Sequence, residues 1–270
     1  MTLRTRLHFF LCLLLCLPTA HAGLLAEATR IIYPADAAAR TLTLTNTNAW
    51  PVVVQTWFDH GEGDPEVLAA PPFIAIPAIF RLAPGAVQTL RIVATGEALP
   101  TDRESVYWLN LYEIPPAAPD TDTPSEADTA RLDLALNTQL KLFYRPQGLP
   151  QPENITEHLA AQLNFQLEAQ NSQWFIACHN PTAWHASFAG LVVDGQAGEL
   201  PAQQEPDMMT PPKTTRRYRL APGTPLPDAT VTFSLIDDGG FGREYQQRLS
   251  QPIGIQPAPS SSPKNASQPG

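Results

Sequence analysis

The chain has 270 residues, 43% of them apolar, enough for one large domain or two ordinary ones with packed cores. Its 29 prolines argue against a helix-rich fold, because proline breaks helix interiors. A formal charge of −9 makes it a poor binder of nucleic acid or of an anionic membrane surface.

Residues 1–22 read as an export signal. Arg4 and Arg6 give a positive start, Phe9 to Leu17 an apolar stretch too short to span a membrane, and Ala20-His21-Ala22 an A-x-A cleavage site. The mature chain is expected to begin at Gly23. Without Arg4 and Arg6, 15 of the 17 basic residues face 26 acidic ones, a charge of −11. A lipoprotein signal modified at Cys16 is disfavoured by the bulky Leu15 before it. Cys12 and Cys16 leave with the signal, so an exported chain keeps Cys178 alone, without an internal disulfide. Cys178 lies in an apolar run, Trp174 to Pro181, and is expected to be buried and inert.

Short β-prone runs then follow one another, split by Pro, Gly, Asn and Asp. Arg30 to Tyr33, Leu42 to Asn46 and Val52 to Phe58 are the first candidate strands. Asp59 to Glu66 is a charged turn with two glycines. Phe73 to Ile79 is interrupted by Pro77, which suits an edge or a bend. Ala83-Pro84-Gly85 is a turn, and Val87 to Val93 and Ser105 to Glu113 are further strands. The spacing is that of an immunoglobulin-like β-sandwich.

From Arg131 to Pro146, leucines recur with period two: Leu132, Leu134 and Leu136, then Leu140 and Leu142 beyond Thr138. That is a strand with one apolar face. It follows a polar, Pro-rich run from Pro115 to Thr129, which reads as a loop. A leucine strand entered from such a loop is expected to be an edge strand, which either aggregates or receives a partner's chain.

Three prolines and a glycine between Pro146 and Pro152 mark the best domain boundary. Leu163 to Leu167, Trp174 to Cys178, Ala186 to Val193, Arg216 to Leu220 and Thr230 to Ile236 read as strands of a second β-domain. The expected division is a signal at 1–22, a first domain at 23–147, a second at 148–255 and a disordered tail at 256–270. Asn154-Ile155-Thr156 and Asn265-Ala266-Ser267 match a glycosylation pattern too common to carry weight.

No catalytic constellation stands out. Cys178 and His179 are sequence neighbours, so on a strand they face opposite sides. Asp59-His60 lies in a turn with no nucleophile or third catalytic residue recognisable beside it in the sequence, and His179 and His185 do not form a recognisable ligand pattern. Gly61-x-Gly63 lacks the third glycine and the strand-to-helix setting of a phosphate loop. No enzyme, metal or cofactor is expected.

Several phrases resemble one family, the periplasmic chaperones of pilus (fimbrial) assembly that work with an outer-membrane usher. They are Leu99 to Ser105, Leu109-Asn110-Leu111, Glu113 to Pro116 and Lys141 to Pro146, with Arg81-Leu82, Pro84-Gly85 and, in the second domain, Asn180-Pro181-Thr182. The resemblance implies an all-β chain of two immunoglobulin-like domains in an L shape with a cleft between them. It implies a periplasmic chaperone that lends a strand to a pilus subunit lacking its own last one, then passes it to the usher. Leu132, Leu134 and Leu136 match the groove-filling donor residues. Each such side chain, once buried, contributes roughly 1.5–3 kcal/mol. Arg30 and Lys141 match the two residues that hold the client's C-terminal carboxylate, chemistry suited to two cations with several donors. Glu104, Arg145 and Asp237, with Asp238 as alternative to Asp237, match an ionic contact between domains; alone, Asp237 to Gly240 read as a hairpin turn.

The chain departs from the family in four places. It has Pro77-Ala78 for two prolines, a lone Cys178 where some members have a disulfide, an acidic loop at Asp120 to Asp128, and a Pro-rich tail. The expected partners are pilus subunits and the usher, with self-pairing of free molecules through exposed strands as a further possibility, and no membrane insertion. The alternative is an exported β-sandwich that forms part of the fibre itself, as a subunit or adhesin.

Overall fold

The computed structural model describes residues 23–61, 71–116, 135–150 and 152–249. The expected signal, the acidic loop, the tail, and Leu132 and Leu134 lie outside the described residues. By contacts, the described residues of Met1–Leu99 and Ser105–Arg145 form one compact unit. Those of Pro100–Glu104 and Pro146–Gly270 form another.

The first unit is a sandwich of two sheets. Strands β1 (Leu24–Ala26), β3 (Arg40–Asn46), β7 (Val87–Ala94) and β5 (Phe73–Ile76) form one sheet in that order. Strands β2 (Arg30–Pro34), β9 (Leu136–Arg145), β8 (Ser105–Ile114), β4 (Val52–Asp59) and β6 (Ile79–Leu82) form the other. Alternation sets the faces. In β4, Val52, Val54, Thr56 and Phe58 are buried while Val53, Gln55 and Trp57 are not. Leu42, Leu44, Leu90, Ile92, Leu109, Leu111, Leu140 and Leu142 meet in the core between the sheets. Pro77 does what its sequence position suggested. β5 and β6 are edge strands of different sheets, and the chain changes sheet at Ile76-Pro77, whose peptide bond is cis.

The second unit also has two sheets. Strands β10 (Asn164–Gln170), β11 (Gln173–Asn180) and β15 (Thr214–Arg219) make one. Strands β13 (Gly198–Pro201), β12 (Ala186–Gly195), β16 (Thr230–Ile236) and β17 (Gly242–Arg248) make the other, with β14 (Met209–Thr210) also paired to β12. Phe165, Phe188, Tyr218 and Phe233 form its aromatic centre. Cys178 is buried there as a free thiol, and burial pushes its pKa up to about 12. His179 faces the other way, exposed, with its ring beside the Thr215 hydroxyl.

One helix among the described residues, α1 (Ile155–Gln162), was not expected from the proline-rich composition. Its cap is Asn154, whose side-chain oxygen accepts from the N–H groups of Thr156 and Glu157. The Asn154-Ile155-Thr156 pattern is thus used locally as a helix start.

Candidate functional site

The site is built on β2 and β9, the one parallel pair of strands among the described residues. Arg30 and Lys141 are direct partners in that register, both half-buried. Neighbouring strands lie about 4.8 Å apart and paired residues point to the same face, so the two cations stand side by side. The Arg30 guanidinium lies 5.6 Å from the centre of the buried Phe143 ring, which orients it. Trp108 on β8 and Asp59 on β4 continue the same row.

Arg30 is the first residue of β2, and its partner Lys141 is the last residue of β9, going back toward its start, that β2 pairs. From Leu136 to Leu140, β9 has β8 on one side and, among the described residues, no strand on the other. The expectation of an edge strand therefore needs correction. β9 is an edge strand only over its first half; the rest lies inside the sheet because β2 covers it.

The leucine row changes character at the same place. Leu142 and Leu140 are 0% and 7% exposed, in the unit's own core, whereas Leu136 on the same face is 53% exposed. One continuous pattern of period two thus serves the fold at one end and presents apolar surface at the other. Of the three residues expected to fill a client's groove, Leu136 is described.

Glu104, Arg145 and Asp237 are each described within their own unit. Glu104 is 3% exposed. Its carboxylate accepts from the His185 backbone N–H at 2.9 Å and lies 2.9 Å from His185 Nδ1. Its own N–H donates to Ala183 O. Arg145 closes the β2–β9 register opposite Pro34, and its carbonyl accepts from Ala35 N–H. Asp237 opens the β16–β17 hairpin. Its Oδ1 accepts from Gly239 and Phe241 N–H, and its Oδ2 is 3.2 Å from Arg243 Nε.

Sequence reasoning assigned no role to two further residues, one in each unit. His185 is the partner of Glu104. Asn110, 1% exposed, joins β9 to β8 and β4 through its side chain. An amide between Leu109 and Leu111 in a strongly apolar strand was the signal available for the second.

Residues 23–150 match the family model "Pili and flagellar-assembly chaperone, PapD N-terminal domain". Residues 158–247 match "Pili assembly chaperone PapD, C-terminal domain". The chaperone protein FimB/FhaD of Bordetella pertussis is 34% identical over 239 residues, spanning 86% of this chain and 91% of that relative. The chaperone protein LpfB of Salmonella typhimurium is 31% identical over 230 residues, spanning 84% and 90%. A chain in the solved structure of the Salmonella enterica SafA pilin in complex with the SafB chaperone superposes with a TM-score of 0.68 at 27% identity, covering 86% of this chain and 99% of that one.

Proposed function

This chain belongs to the family of pili-assembly chaperones, and from that premise we propose that it binds pilus subunits in the periplasm by lending them the open half of β9. Leu136, with Leu132 and Leu134 before it, fills the subunit's groove while the β9 backbone pairs with its edges. Arg30 and Lys141 hold the subunit's C-terminal carboxylate, and an outer-membrane usher then takes the subunit onward.

The observation that carries this reading is a coincidence of position. The two cations face one another where β2 begins, which is where β9 loses its second neighbour. A guest strand laid beside Leu136–Leu140 runs in line with β2 and ends against Arg30 and Lys141. A carboxylate there meets two cations and gains charge-assisted hydrogen bonds. Anchoring one end also sets the register, and a slip of one residue turns the leucine face away. The alternative of a fibre subunit loses its ground, because both matched domain models are chaperone models.

The test is Lys141→Ala in the tagged protein, purified from periplasm. The variant is expected to fold with unchanged circular dichroism and to lose at least tenfold of its co-purified subunit, as a charged bond of about 1.5–3 kcal/mol requires. Full recovery of the subunit would overturn the carboxylate anchor.

A further inference from the structure

Along its open half, β9 has one strand neighbour among the described residues, and a strand held from one side frays readily. The face opposite the leucines carries side chains that counter this. Asn137 Nδ2 and Gln139 Nε2 each donate to Asn110 Oδ1 on β8 at 2.9 Å. Two donors fill both lone pairs of that oxygen. Asn110 Nδ2 in turn donates to Asp59 Oδ2 on β4 at 2.6 Å. The other oxygen, Asp59 Oδ1, accepts from Gly61 N–H at 2.9 Å, which fixes the end of β4. Gly61 has φ +83, and a Cβ there would lie 3.0 Å from the Trp108 ring, so this turn packs closely on β8.

We propose that Asn110 is a positioning residue: with Asp59 behind it, it holds Asn137 and Gln139 so that the open half of β9 stays extended and in register, with Leu136 presented on the other face. The two faces of β9 divide the labour. Leu136, Thr138 and Leu140 share one face, while Asn137 and Gln139 lie on the other, so the clamp takes nothing from the surface that is presented. Asn110 is the one member buried to 1% exposure, and Asn137 and Gln139 are exposed. Removing the two outer amides therefore leaves the core packing alone. The consequence for subunit capture rests on the lending role proposed above; the clamp itself does not.

The experiment is hydrogen–deuterium exchange on the full-length free protein carrying Asn137→Ala and Gln139→Ala together. Losing two hydrogen bonds of ordinary net strength is expected to speed exchange of those Leu136–Leu140 amides that bond to β8 by about tenfold. Exchange in 141–145 and the melting temperature are expected to stay as they were. Asn110→Ala serves as a second variant and is expected to loosen the same stretch. Unchanged exchange at 136–140, or an increase spread equally over β8 and β9, would overturn the proposal. Subunit co-purified from periplasm then reads the lending role separately. A loosened strand with undiminished recovery keeps the clamp and removes the lending role.

Discussion

Asp237 holds its hairpin with a single carboxylate. Two backbone N–H groups point at Oδ1 and Arg243 stands beside Oδ2. Its pKa is held below the ordinary 3.8, first by the Phe241 N–H, with Arg243 and Gly239 adding to it. A depressed carboxyl stabilises the fold fully above the unfolded value, and that contribution is lost as pH falls through the folded value. At neutral pH, Asp237→Ala is therefore expected to speed amide exchange at Gly239–Gly242. As pH drops below the folded value, parent and variant should converge, and exchange measured across an acid series checks this. The residues thought from the sequence to tie the domains together thus have work of their own, Asp237 in a turn and Glu104 on His185. Sequence matching could find these carboxylates but not their bonds, because the partners lie outside the motif: in its own hairpin turn for Asp237, and in the distant segment around His185 for Glu104.

Strands are where the sequence was most legible. Period two located β3, β4, β7, β8 and β9 to within a residue or two of their observed limits where they are described. Periodicity alone does not say which half of the leucine row belongs to the core; the preceding loop and the family resemblance assigned the near-loop half, Leu132 to Leu136, to the client. That division depends on where β2 begins, more than a hundred residues earlier in the chain. β1, β13, β14 and β17 escaped notice because they are short or polar, and tertiary pairing rather than patterning makes them strands. α1 escaped because one asparagine cap and a short apolar face are weak signals. The division within β9 has a mutational signature. Leu142→Ala removes a side chain that is 0% exposed and is expected to cost about 2–5 kcal/mol of stability. Leu136→Asp changes one that is 53% exposed and should shift stability by no more than about 0.5 kcal/mol, yet abolish subunit recovery. Denaturant unfolding of both variants, beside their co-purified subunit, checks the contrast.

At the scale of the whole molecule, each unit has its own hydrophobic centre, and the second keeps its single thiol deep inside. Burial holds Cys178 protonated at neutral pH, with its pKa raised to about 12, and protonated thiols are poor nucleophiles. A thiol reagent added to the native protein is expected to react only as fast as the second unit opens. Labelling in rising denaturant should therefore follow that unit's unfolding, and prompt labelling without denaturant would contradict it. The wider architecture was readable because two sandwiches need only alternation and turns; the pairing of β2 with β9 was not, since parallel neighbours leave no mark in either strand. With the proposed carboxylate anchor at Arg30 and Lys141, that pairing makes the slot a one-way street. A visitor whose acidic tail comes to rest between the two cations must travel in the same sense as β9, whereas one arriving amino end first would bring positive charge against positive charge. The chain's polarity would then be sorted by electrostatics at the far end of the groove, before a single leucine has been counted.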